Sequence, residues 1–171
     1  MIQKGPRRLE DGVVTLREIT PEDAGNLFHW RRQERLQPIF HTSGAASYEQ
    51  HEAFIASYFE PANEDCWFVF EVEERPAGTF AIYRPAPGAD WETGRMVLAP
   101  ELRGFKGFRY ARQAGALLME FARAAGHPYM RCEVLETNRV MQGIVTSLGF
   151  REKSRGERNG KAYLELVATL D

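Results

Sequence analysis

The sequence predicts one mixed α/β (α+β) domain, a mostly antiparallel central sheet flanked by helices. Three observations lead there. The chain has 171 residues, and a single hydrophobic core commonly serves about 100–200 residues. With 43% hydrophobic and 27% charged residues, the composition is that of an ordinary soluble globule, not of a disordered, collagen-like or membrane chain. Short β-rich runs between Cys66 and Leu98, separated by tight turns, sit among stretches with helical spacing. Such an order implies an antiparallel meander covered by helices. The expected organisation is a single domain over residues 1–171, with residues 1–11 as a flexible extension.

The elements follow in order. Val13 to Arg17 is β-branched and bounded by Asp11-Gly12 and Thr20-Pro21, which predicts an opening strand. Thr20-Pro21-Glu22-Asp23 has the form of a capping box with Asp at its third position and Pro at the first. Leu27, Trp30 and Leu36 then give helical spacing until Pro38 stops it. Ser47 opens a second helix carrying Phe54, Ile55 and Tyr58, which Pro61 to Asp65 ends. Cys66 to Val72 is bulky and β-branched, a strand buried along most of its length. Glu74 to Gly78 turns it into a strand at Thr79–Tyr83, and a polar Pro/Gly loop leads to a third at Thr93–Leu98. Ala111 to Ala125 is an amphipathic helix, Tyr129 to Leu135 a strand, and Asn138 to Ser147 a short helix closed by Gly149. Phe150 to Lys153 pairs with Tyr163 to Val167 through the turn at Asn159-Gly160.

Charge excludes several function classes. Lys and Arg total 22 against 24 Asp and Glu, a net charge of −2, so neither nucleic acid nor anionic lipid is an expected partner. No apolar run approaches the roughly 20 residues of a membrane span, and Met1 to Arg8 lacks the apolar middle of a signal peptide. A cytoplasmic location is expected. Cys66 and Cys132 are far apart with no further ligand at metal spacing, so buried thiols are expected rather than a metal site.

Arg103, Lys106, Arg109 and Arg112 fall within ten residues at the junction of a strand and a helix, with no acidic residue among them. Unpaired N–H groups and the helix dipole favour a phosphate there. That points to a di- or triphosphate-bearing ligand, the alternative being a solvated basic surface.

Two segments then agree. Val134-Leu135-Glu136-Thr137-Asn138, followed by Ser147-Leu148-Gly149-Phe150, resembles the strand-Asn-helix-LGF signature of the GNAT acyltransferase superfamily. Leu16 to Asp23 resembles the opening of that family, and Phe28-His29-Trp30-Arg31 the "WR" helix of its amino-sugar (pseudaminic-acid type) and Rim-type N-acetyltransferase branches. The resemblance covers nearly the whole chain, from about Val13 to Val167. It implies an acetyl-coenzyme A-dependent N-acetyltransferase acting on a primary amine of a small molecule, such as a nucleotide-linked amino sugar. The alternatives are a Rim-type protein N-terminal acetyltransferase and a catalytically degenerate coenzyme-binding or interaction module.

The resemblance also implies roles. The phosphate loop, Arg/Gln-x-x-Gly-x-Gly/Ala in the family, falls on Lys106, Gly107, Phe108, Arg109, Tyr110 and Ala111, with Arg109 at a glycine position. Alternatively Arg103-Gly104 matches its start and the loop is about three residues longer. Met96, Val97 and Leu98 would line the coenzyme arm in a slot opened by the splay of the following strand, with the Leu98 or Val97 N–H facing the thioester oxygen. Asn138 would bind the coenzyme arm and also cap its helix. Glu92 would accept the proton of the amine, with Glu133 as the alternative. Val145 stands where many relatives carry a Tyr acid. Trp30, Arg31, Phe40, His41 and Tyr83 are candidates for the acceptor pocket, although Trp30, at helical spacing from Leu27, is more often a core residue, and His41, in a loop, is either a base or a surface imidazole. His29, His51 and His127 default to surface or packing roles. A homodimer through the C-terminal hairpin stays open.

Overall fold

Asp11 turns the chain back on itself near its start. Its Oδ1 accepts the N–H groups of Val13 and Val14 at 2.9 and 2.8 Å, a local side-chain bond typical of Asx turns. The consequence is a short edge strand, β1 (Arg8–Glu10), paired antiparallel with β2 (Val14–Glu18). The structure, a computed structural model, describes residues 7–42, 44 and 46–170. Part of the expected flexible extension is therefore strand, and residues 1–6 lie outside the described residues.

Along the chain follow α1 (Ala24–Arg31), α2 (Tyr48–Tyr58), β3 (Cys66–Val72), β4 (Arg75–Tyr83), β5 (Glu92–Leu98), α3 (Gly104–Ala124), β6 (Tyr129–Leu135), α4 (Arg139–Ser147), β7 (Arg151–Arg158) and β8 (Lys161–Thr169). The strands form one eight-stranded sheet in the order β1-β2-β3-β4-β5-β6-β8-β7, antiparallel except where β5 meets β6. Asn159 and Gly160, both at positive φ, make the last hairpin turn as expected.

Alternation along β3 divides the core. Cys66, Phe68 and Phe70 point to the face covered by α3 and α4, whereas Trp67 and Val69 point to the face covered by α1 and α2. The long helix α3 carries Tyr110, Ala111, Ala114, Leu117 and Leu118 into the first core. Ile55, Tyr58, Leu27 and Trp30 fill the second.

Three boundaries differ from expectation. The first helix ends at Arg31, and Glu34–Ile39, including Pro38, forms a separate 3-10 turn. Gln33 breaks the continuity, because its Nε2 donates to Trp30 O at 3.0 Å and reaches across to Leu98 O at 2.9 Å. The hairpin before β4 turns at Glu73-Glu74, both in the left-handed region, so β4 begins at Arg75. Finally α3 starts at Gly104, two helical turns before Ala111.

Candidate active site

β5 is irregular where it matters. Its register with β4 shifts between Thr79 and Ala81, and Arg95 sits at φ 51°, the signature of a bulge that bends the strand. The Thr79 hydroxyl donates to the Arg95 carbonyl and holds the bend. On its other side β5 meets β6 only at Glu92–Arg131, with the Arg131 N–H donating to Trp91 O at 3.3 Å. Beyond that point the two strands diverge.

The divergence opens a groove of about 690 Å³. Its walls are Met96–Leu98, the residues that lead into α3, and the N-terminus of α4. Ala99 N–H bonds Ala77 O at 2.9 Å, and antiparallel alternation turns the N–H and C=O of the preceding residue, Leu98, away from β4. Gln33 takes that carbonyl, which leaves the Leu98 N–H facing the groove. At the groove's other end the first amides of α3 have no side-chain cap. Gly104 supplies the left-handed turn (φ 60°) that starts the helix. Arg103, Lys106 and Arg109 are exposed beside it.

A second cavity of about 610 Å³ lies between the sheet and the α1–α2 face. The two spaces share Ile39, Phe40, Met96, Val97 and Asn138, so they meet at the bulge of β5. Asn138 stands at the junction while its Oδ1 accepts the Met141 N–H at 3.1 Å and caps α4. Arg95 is packed among Tyr83, Trp67 and Phe54, with its guanidinium 4.4–5.5 Å from their ring centres, and is anchored by Asp65 at 2.9 Å.

The resemblance leads to the expectation of a slot opened by the splay of two strands, and β5 and β6 do diverge beyond Glu92–Arg131; the sequence comparison identifies the family. The family described as Acetyltransferase (GNAT) domain matches residues 14–151. The chain belongs to the GNAT acetyltransferase family. No curated protein matches its sequence. Among solved structures, the GNAT chain is similar to spermidine N-acetyltransferase from Vibrio cholerae in complex with CoA and spermine, with TM-score 0.79 and 15% identity over 94% of this chain and 97% of that one. It is also similar to FdhC, a nucleotide-linked sugar GNAT, with TM-score 0.76 and 16% identity over 96% and 91% of the two chains. Ribosomal-protein-S5-alanine acetyltransferase from Vibrio fischeri gives TM-score 0.76 and 15% identity over 96% and 97%. These likenesses are of fold.

Within this GNAT fold the expected coenzyme residues divide. Met96, Val97, Leu98, Arg103, Phe108 and Asn138 line the groove, and Lys106 and Arg109 are exposed. Gly107, Tyr110 and Ala111 do not line it. They belong to the buried face of α3, with Ala111 fully buried and Gly107 tight against the Leu102 backbone. The cause is the early helix start, which places Lys106 to Ala111 inside α3 and makes Arg103-Gly104 the turn before it. Phe105 and Val140, both exposed apolar residues of the groove, escaped sequence reading because neither fits a core pattern.

Of the residues proposed for an acceptor pocket, Arg31, Phe40, His41 and Tyr83 line the second cavity. Trp30 does not, being 4% exposed in the core between α1 and the sheet. Glu92 is buried, ion-paired with Arg131 at 3.3 Å, and is not among the residues that line the cavity. Burial raises its pKa above the ordinary carboxylate value, opposed by the Arg131 charge and by the Tyr83 hydroxyl. Glu133 does line the cavity, held by Arg158 at 2.9 Å. His51, given no role by the sequence, also lines it. Burial lowers its pKa and that of His41, so both imidazoles are neutral near pH 7. Val145 is fully buried in the core. Among the described residues no cluster of three or more His, Cys, Asp or Glu is placed to hold a metal, and no helix is long and apolar enough to cross a membrane.

Proposed function

We propose that the protein transfers the acetyl group of acetyl-coenzyme A to the primary amine of a small molecule. One observation carries this reading: the groove beside the α3 N-terminus and the acceptor cavity meet at Met96, Val97 and Asn138. The groove fits the coenzyme. Its open α3 amides and basic Arg103 suit a pyrophosphate, and the splayed β5 offers its backbone to an amide-bearing arm.

Acetyl-coenzyme A supplies an activated acyl carbonyl. The protein's residues then position it and accept a proton. Leu98 N–H is the donor directed to the thioester oxygen. Phe40 and Met96 line the junction between the two spaces. The amine must lose a proton in the attack, and His41, whose two ring nitrogens have no partner among the described residues, is the group offered to it. The charge of Glu133 favours the protonated form of His41. No acid replaces the family Tyr at Val145, and a thiolate with a pKa near 8.5 leaves with little assistance.

The acceptor cavity lies within the range of about 300–1,000 Å³ typical of small-molecule sites. It is walled by α1, α2 and the 3-10 turn, which favours a small acceptor over a protein N-terminus. A nucleotide-linked amino sugar is the finer reading, supported by the aromatic walls Phe40, Tyr83 and Trp67. The open coenzyme groove argues against a degenerate module. Titration calorimetry with acetyl-coenzyme A, coenzyme A and ATP, followed by thiol release over an amine panel, tests the proposal. Micromolar binding selective for the coenzyme, with thiol release dependent on an added amine, is expected. Absence of binding would return the chain to the interaction-module reading.

A further inference from the structure

The charges lining the acceptor cavity do not cancel. Arg95 is neutralised by Asp65 at 2.9 Å. Glu133 is matched by Arg158 at 2.9 Å and Arg131 at 3.6 Å. His41 and His51 are neutral. That leaves Arg31, and no carboxylate offsets its burial, which alone pulls its pKa below the ordinary guanidinium value.

The geometry of Arg31 is that of a receptor. Its guanidinium carbon lies 3.4 Å from the centre of the Phe40 ring, a stack that fixes the plane of the fork. Nη2 donates to the Thr42 carbonyl. Nη1 is out of contact with solvent and has no hydrogen-bond partner among the described residues. Arg31 as a residue is only partly buried, but a desolvated donor left without a partner is costly, and an anion arriving with the ligand offsets that cost through a charge-assisted bond.

We infer that the free Nη1 edge of Arg31 is an anion subsite of the acceptor cavity, so that the acceptor is a primary amine that also bears a carboxylate or phosphate group. The inference rests on the acetyl-transfer reading and narrows it. A polyamine, cationic at every nitrogen, meets an uncompensated positive charge in this cavity.

The test is a matched panel offered with acetyl-coenzyme A to the wild-type protein, to Arg31→Met and to Arg31→Lys, each first checked by thermal melting. The carboxylate arm compares ω-amino acids with the corresponding alkylamines, the phosphate arm compares O-phosphoethanolamine with ethanolamine, and spermidine is the cationic reference. For the wild type, kcat/KM at least tenfold higher for one acidic arm than for its neutral partner is expected, falling to within twofold in Arg31→Met and to an intermediate ratio in Arg31→Lys. Equal use of neutral and acidic amines, a preference for spermidine, or a ratio retained in Arg31→Met overturns the inference. If no amine is acetylated, acetate and inorganic phosphate are titrated into the proteins and followed by Trp fluorescence. Saturable binding lost in Arg31→Met upholds the subsite, and no binding to the wild type, or equal binding to both, overturns it. Calorimetry with acetyl-coenzyme A runs beside this, so failure of the transfer reading shows as a missing donor site while the anion titration still reports on Arg31.

Discussion

At the scale of the residue, Asn138 does two things with one side chain. Its Oδ1 caps α4, and the residue stands where donor groove and acceptor cavity join. The roles separate by substitution. Asn138→Asp keeps a good cap but loses the amide nitrogen and adds a negative charge, so melting temperature should hold while KM for acetyl-coenzyme A rises several-fold. Asn138→Ala should lose about 1 kcal/mol of stability as well, measured by denaturant unfolding. An unchanged KM in both variants removes Asn138 from the donor site. Asn138 was legible in the sequence because cap chemistry and motif coincide there. The surroundings of Glu92 were not legible: its position on β5 was visible, but the pairing with Arg131 comes from β6, 39 residues further on. His51 was invisible for the same kind of reason, since its contacts are Phe28 and Tyr48 and its backbone bond is to Ala24.

At the scale of the element, the turn into α3 is where the proposed coenzyme would place its pyrophosphate. The sequence offered two registers for that loop, and the helix starts at Gly104 with Arg103 as its N-cap residue. The ambiguity arose because Arg103 caps with its backbone alone, with no Ser, Thr, Asp or Asn to mark the helix start. Gly104 adopts φ 60° with open space around it, so a methyl group there meets no neighbour and only the backbone is strained. Gly104→Ala should cost about 1–2 kcal/mol and weaken coenzyme A binding by calorimetry, with the acceptor cavity untouched. If coenzyme affinity is unaffected, the pyrophosphate does not sit on these amides.

The whole molecule carries its buried and partly buried histidines as a pH liability. Burial lowers the pKa of His41, His51 and His127 below the ordinary 6.5, so the unfolded chain takes up protons first as pH falls. Stability is full above about 6.5 and declines below it, through each folded-state pKa. Glu92, with its raised pKa, works in the opposite direction on the acid side, but it is one group against three. Melting temperature measured without ligand should therefore drop between pH 7.5 and 5.5, and a rise over that window would contradict the assignment. The order of elements was legible throughout because each run of residues has one clear period. The edge strand β1 was not, since its three residues gain structure only by pairing with β2.

Phe40 and Ile39 belong to both cavities, and Lys161 ties the Phe40 carbonyl to β8 at 2.7 Å. A short segment pressed from both sides makes donor and acceptor thermodynamically linked: whatever one ligand does to the position of Phe40, the other feels with equal and reciprocal strength. The same ring backs Arg31, so under the proposed transfer a coenzyme that shifts Phe40 would also change how firmly the acceptor is gripped, the two halves being coupled through one aromatic side chain.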